Sequence, residues 1–285
     1  YTWANGDIFT GTFVNGIPSG GLSPGKTPYF VGTATVEKLK TGDINTDALL
    51  FDSPKAWASN QNYDNGNSTT ITYSFVKTSD FFKDGYASPS PEVDSIFAFS
   101  ENQQAAVTLA LEQFSNISDL TFVEVSETAS EVGTLRFGFT DYDKGEDVWG
   151  WASPTNTGAK SGDIWVGSHH ADETFRPGKD FNFASTMHEI GHALGLEHPF
   201  EGTNQLSTAQ NYTNYTIMSY TDPDGVWFDG NYLISATPMV YDIAAVQHLY
   251  GAATYNDGNT TYSYDPAKPF VEAIWDSGGY DTLDL

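Results

Sequence analysis

Three imidazoles and one carboxylate fall within eleven consecutive residues, His188-Glu189-Ile190-Gly191-His192-Ala193-Leu194-Gly195-Leu196-Glu197-His198. On an α-helix, positions i and i+4 share a face. His188 and His192 therefore point the same way, one turn apart, close enough to hold a single ion. Glu189 is rotated about 100° around the axis. It need not touch the metal and is placed to act on a metal-bound water as general base. Gly195 ends the helix, because glycine takes the left-handed conformation without a Cβ penalty. Pro199 cannot continue a helix, and the turned chain brings His198 back as third ligand. Three protein ligands leave a fourth position for water, the arrangement of catalytic rather than structural zinc. Zinc lowers the pKa of such a water to about 7. Neutral imidazoles suit zinc, and a chain with no cysteine has no thiolate site to offer.

About twenty residues further on comes Ile217-Met218-Ser219-Tyr220. Together with the extended histidine motif, it resembles the Met-turn of the metzincin metallopeptidases. The resemblance implies that Met218 forms an apolar floor under the imidazoles. It also implies that Tyr220 lies near the metal, to ligate it or to hydrogen-bond the tetrahedral oxyanion. Further segments narrow the likeness. Tyr241-Asp242-Ile243-Ala244-Ala245-Val246-Gln247-His248-Leu249-Tyr250-Gly251-Ala252 resembles the helix that closes the catalytic domain of serralysins, secreted bacterial zinc endopeptidases. Trp275-Asp276-Ser277-Gly278-Gly279-Tyr280-Asp281-Thr282-Leu283-Asp284 looks like the start of their calcium-binding parallel β-roll. Ile71–Phe75 is similar to their first catalytic strand. Gly162, Asp163, Ile164 and Trp165 resemble the edge strand above the cleft, which implies a substrate-binding role for them.

The same resemblance implies calcium at Asp276, Gly278, Gly279 and Asp281, and at Asn256, Gly258 and Thr260 of the upstream turn. Calcium takes six to eight oxygens from carboxylates and carbonyls, and glycines let a tight turn aim carbonyls inward. The implied cofactors are one catalytic zinc and one or more structural calcium ions. Three departures from the family pattern stand out. Phe200 follows His198-Pro199 where glycine is common. Residues 1 to about 60 match poorly. The sequence stops at Leu285, within the implied roll.

Composition excludes other classes. Lys and Arg number 12 against 37 Asp and Glu, a formal net charge of −25, which argues against a nucleic-acid partner. Such acidity suits calcium loading, and each bound ion would remove part of the repulsion. No apolar run approaches a membrane span. The sequence carries no n-region/h-region signal-peptide pattern, and Tyr1 reads as the start of a mature or trimmed chain. Without cysteine there are no disulfides, and calcium is the expected substitute in an extracellular enzyme.

The elements that must position the site follow from periodicity. Residues 1–33 are glycine-rich, with hairpin signals at Asn5-Gly6 and Asn15-Gly16. Tyr1–Gly16 is similar to a single MORN-type repeat, with a stray hairpin as the competing reading. Residues 47–60 have mixed helical character, and 60–69 form a polar loop. Strands are expected over 70–76, 120–125, 134–140 and 163–167. Helices are expected over 101–114, with Ala105, Leu109, Ala110 and Leu111 as its apolar positions, over 183–194 and over 240–250. Asp180 or Asn182 would cap the second of these. Trp149, Trp151 and Trp165 either line subsites or fill the core. His169-His170 are expected to point oppositely on an extended surface chain, and His248 to lie exposed.

The expected architecture is an α/β (α+β) metzincin, zincin-like fold. It has a mixed twisted sheet, long helices, a cleft, and the start of a parallel β-roll at the C-terminus. Its parts are a 1–33 segment of hairpin character, a 34–252 catalytic domain and a 253–285 roll segment. The resemblance implies a secreted, extracellular, monomeric zinc endopeptidase of broad specificity, with extended protein or peptide substrates and a proteinaceous inhibitor as a further candidate partner. Three rivals stay open on the sequence. They are another metzincin family, a calcium-dependent adhesion or structural module with a vestigial zinc fold, and a precursor whose residues 1–33 fill the cleft.

Overall fold

Alternate residues of Thr69–Phe75 (β5) divide between two unlike faces. Ile71, Tyr73 and Phe75 point into an apolar core, where Phe75 and Phe137 have ring centroids 5.8 Å apart. Thr70, Thr72 and Ser74 point into a second buried layer that is polar. There Ser74 Oγ donates to Glu127 at 2.9 Å, and Arg136 pairs with Glu127 at 2.7 Å. The computed structural model that shows this describes residues 34–60, 62–63, 66–82, 86, 90–142, 144, 148–176, 180–223, 227–228, 231–265 and 267–285. It also gives the backbone of 13–14 and 17–18.

The main sheet runs β7-β5-β8-β10-β9, with β7 at Leu120–Glu124, β8 at Leu135–Thr140, β9 at Gly150–Ala152 and β10 at Asp163–Gly167. Four strands are parallel, and β9 is antiparallel at one edge, with Trp151 opposite Trp165. Ile96–Phe97 (β6) adds an antiparallel pairing to the far end of β8. The mixed sheet with few helices matches the α/β expectation.

The β5–β7 crossover contains Glu101–Ile117 (α2), three residues longer than expected at its end. Ser100 and Gln103 form a capping box that satisfies its first turn. Its buried stripe is Ala106, Val107, Ala110, Leu111, Phe114 and Ile117. Ala105 and Leu109 face outward instead, so the apolar stripe lies about one residue round from the expected one.

Phe181–Ala193 (α3) carries the histidines and packs on α2 and β9. Asp180 sits at its N-cap position without capping it, because its carboxylate is taken by Arg176 at 2.7 Å. Val240–Tyr250 (α4) closes the domain.

Residues 34–60, poorly matched on the sequence, are integral to the core. Thr35–Glu37 (β3) pairs with Lys55–Trp57 (β4), and the short helix Ile44–Asp47 (α1) is capped by Asp43. Ala48, Leu49, Leu50, Ala56 and Trp57 are buried. Of the first 33 residues, Phe13–Val14 (β1) and Ile17–Pro18 (β2) pair antiparallel. The Asn5-Gly6 signal and the rest of the 1–33 reading fall outside the described residues. Trp227–Phe228 (β11) pairs with Asn231–Tyr232 (β12), and Thr261–Ser263 (β13) runs parallel to Thr282–Asp284 (β14).

Candidate metal centre

Because α3 keeps its hydrogen bonds through Ala193, His188 and His192 stand one turn apart, with ring centroids 4.7 Å from each other. The helix then stops at Gly195, whose φ of +105° is open to glycine and strained for other residues. Residues from three distant parts of the chain grip this exit. Trp57 Nε1 and Thr155 Oγ1 both donate to the Ala193 carbonyl, at 2.8 and 2.9 Å, and Tyr250 OH donates to Leu194 at 2.7 Å. The amide of Glu197 donates to Leu49 O at 2.8 Å. The last carbonyls of the helix are thus satisfied by side chains far away in sequence. The turn they fix delivers His198 to the other two histidines.

The three Nε2 atoms converge: His192 to His198 is 2.9 Å and His198 to His188 is 3.3 Å. The Nδ1 atoms of His188 and His192 each lie 2.8 Å from a main-chain carbonyl, Ile217 and Leu196 respectively. A carbonyl only accepts, so Nδ1 holds the proton and Nε2 presents a lone pair. Lone pairs this close repel unless a cation lies among them, and imidazole nitrogen is a preferred zinc donor. Burial pushes the His188 ring down to about 4 and the His192 ring well below its ordinary value, so both are neutral ligands at pH 7. The donor set fits zinc.

Beneath the rings, Met218 is fully buried, and its sulfur abuts the α-carbon of Gly191 in the facing helix turn. The Met-turn is itself clamped. Asp242 of α4 accepts from Thr216 Oγ1 at 2.6 Å, Ile217 N at 2.8 Å and Met239 N at 2.7 Å. Burial still pushes this carboxyl up to about 7. Tyr220 stands on the open side, 68% exposed, with its hydroxyl 2.7 Å from His198 Nε2. Burial and the charges of Glu189 and Glu201 raise its pKa.

Glu189 is buried beside the cluster. Burial pushes it up to about 8, while the Ala152 amide and, more weakly, Lys144 favour its anion. One oxygen, Oε2, has no hydrogen-bond partner among the described residues. Ala152 belongs to β9, so the sheet's antiparallel edge strand and the acid–base carboxylate meet at one point.

The matrixin family, peptidase family M10, matches residues 93–226 of this chain. Serralysin B of Dickeya chrysanthemi is 31% identical over 250 residues, which is 77% of this chain and 49% of that protein. Serralysin of Proteus mirabilis is 31% identical over 261 residues, 79% of this chain and 51% of its own length. The chain belongs to the serralysin-type metzincin peptidases. Metallopeptidase AprA of Pseudomonas marginalis is 28% identical over 92% of the chain and 56% of that protein. The chain spans about half the length of these curated relatives. Membership in this metzincin family implies a catalytic zinc.

Four expected substrate residues are corrected. Gly162, Asp163, Ile164 and Trp165 are buried, and β10, which begins at Asp163, is interior to the sheet, between β8 and β9. The edge is β9, a strand too short for alternation to reveal. Trp165 packs on Phe82 at 5.5 Å, and Trp149 is buried against Asn182. Trp151 alone of the three is half-exposed, with Lys144 over its ring. His169 and His170 occupy a 3₁₀ turn with rings 4.0 Å apart rather than pointing oppositely. His248 is half-buried and bonded to Leu39 O at 2.6 Å.

The calcium-type turns come together. Gly258 O and Asp281 Oδ1 both lie against Gly279, and Thr260 N donates to Asp281 Oδ1 at 3.0 Å. Asp276 accepts from Gly278 N at 3.0 Å and from Tyr262 OH at 2.7 Å, and Asn256 donates to the same hydroxyl at 3.0 Å. The Asp276 and Asp281 carboxylates and the Gly258 carbonyl offer oxygen, the ligand chemistry calcium selects.

Sequence reasoning missed Asp242, Trp57, Thr155, Tyr250 and Ala152. Asp242 offered a signal, being the charged residue opening an otherwise apolar helix. The others act through main-chain geometry that spacing does not reveal.

Proposed function

We propose that the chain is a zinc-dependent endopeptidase that hydrolyses extended protein substrates with broad specificity. The observation that carries this is the convergence of three imidazole Nε2 atoms beside the buried Glu189 carboxyl. His188, His192 and His198 hold the metal, with Tyr220 beside it and Met218 and Gly195 as structural residues. Zinc bound there supplies a Lewis acid and lowers the pKa of a water to about 7. Glu189 takes the proton from the attacking water at Oε2 and delivers it to the leaving amine. The Tyr220 hydroxyl donates to the oxyanion. An extended substrate adds alongside β9, whose outer edge has no strand partner among the described residues. Pairing to backbone groups reads little side-chain chemistry, which supports broad specificity. Residues 34–252 form the catalytic unit. Residues 253–285 open a calcium-binding β-roll, with Asn256, Gly258, Thr260, Asp276, Gly278, Gly279 and Asp281 as ligands. The enzyme acts as a secreted monomer. Among the described residues no helix is long and apolar enough to cross a membrane.

The test is hydrolysis of casein by the purified chain. The expected result is cleavage at several sites, abolished by o-phenanthroline and restored by zinc. Stoichiometric zinc with no hydrolysis of any unfolded substrate would overturn the proposal and favour a vestigial zinc fold.

A further inference from the structure

We propose that Glu201 is the positioning residue of the third metal ligand, the carboxylate that orients His198 and strengthens its ring as a donor. The inference rests on the metal-centre reading of the His188–His192–His198 cluster. The three ligands are held in two different ways. His188 and His192 lie against main-chain carbonyls through Nδ1, and these acceptors move only if the backbone moves. His198 comes from a turn. Its Nδ1 is shut off from solvent and has no aligned hydrogen-bond partner among the described residues. A buried ring nitrogen of this kind needs an acceptor. The group facing it is Glu201 Oε2, at 3.2 Å. The contact is off the hydrogen-bond line, and the Glu201 carboxyl, 53% exposed, is shared with the side chain of Glu197.

The local fold keeps that carboxylate in place. The amide of Glu201 donates to His198 O at 3.1 Å, turning the chain straight back over the ligand. Glu197 accepts from His198 N at 3.1 Å and anchors the other side. Phe200 then lies flat on the imidazole, with centroids 5.1 Å apart and planes 6° apart. The ring is thus fixed in its plane by Phe200 and in its rotation by Glu201. An outer carboxylate on a ligating histidine fixes the tautomer and raises ligand basicity, and its loss typically lowers metal affinity about 10–100-fold. Solvent screening at the half-exposed Glu201 puts the expected loss at the low end, about tenfold.

The experiment compares the full chain with Glu201→Ala and Glu201→Gln. Zinc affinity is measured by chelator competition, and the cobalt-substituted absorption spectrum is recorded for each. Glu201→Ala should bind zinc about tenfold more weakly, with a displaced cobalt band. Glu201→Gln keeps an acceptor oxygen and should recover part of the loss. The melting temperature of the metal-free protein should be the same for all three. Wild-type affinity and spectrum in Glu201→Ala overturn the inference, and so does an equal fall in metal-free stability. If the wild-type chain itself takes up no zinc, the metal-centre reading falls along with this one.

Discussion

The metal centre and the C-terminal turns both gather metal-type donors, yet the protein builds them in opposite ways. At the centre, Met218 and Asp242 are fully buried, His188 is 8% exposed, and the carbonyls that hold His188 and His192 belong to the buried residues Ile217 and Leu196. In the C-terminal segment, β14 is exposed throughout and pairs with β13 of the same segment, which meets the rest through bonds such as Ala236 N to Val271 O at 2.8 Å and Ala273 N to Thr237 Oγ1 at 2.9 Å. The centre is preorganised by packing, so a metal finds its ligands waiting. The turns are mostly exposed, and on the proposed reading a bound calcium would supply their order. The proposal thus separates a site where metal would bring chemistry from one where it would bring stability.

The contrast can be broken at several points. Apart from Glu189 itself, the largest effect is expected at the centre's open side. Tyr220→Phe removes one oxyanion donor and should lower kcat by about 10²–10³-fold with zinc content unchanged, measured by steady-state kinetics. At the other site, calcium at about one hundred times its Kd should stabilise the C-terminal segment by about 2.7 kcal/mol. Hydrogen exchange over residues 255–284 should slow accordingly, in wild type and not in Asp281→Asn, while exchange in α3 stays unaltered.

Asp242→Asn tests the clamp under the centre. It replaces acceptor oxygen by an amide facing N–H donors and should cost about 1–3 kcal/mol. The pH dependence has a definite sign. Burial holds the Asp242 carboxyl at about 7 in the folded protein, above its ordinary value of 3.8. Its contribution to stability is therefore present at low pH and is lost as pH rises through about 7. Denaturant melts of Asp242→Asn should lack that decline. The smallest effect belongs to Gly191→Ala. The added methyl would lie 2.7 Å from Met218 Sδ. Displacing that sulfur should cost about 1–3 kcal/mol, partly offset by better helix propensity, and thermal melts report the balance.

How far each region was legible follows from the same contrast. The histidine spacing and Gly195 are helix geometry, local in sequence, and they were readable. The long helices showed their periodicity, though the face of α2 was misjudged, because Ala105 and Leu109 are apolar without being inward. The edge of the sheet was not readable. Strand order comes from long-range pairing, and β10 reads as a cleft strand until β9 is seen covering it. The grip of Trp57, Thr155 and Tyr250 on the helix exit was equally hidden, because main-chain carbonyls leave no signature in the sequence. Residues 34–60 looked foreign for this reason, although they fix the turn that delivers His198.

The central claim is that Glu189 moves the proton while the three histidines hold the metal. Glu189→Gln tests it most directly, with zinc per chain and kcat/KM measured on the same sample. The account predicts one zinc per chain, as in wild type, and hydrolysis reduced by about 10²–10⁴-fold. Near-wild-type turnover in the zinc-loaded variant would contradict it.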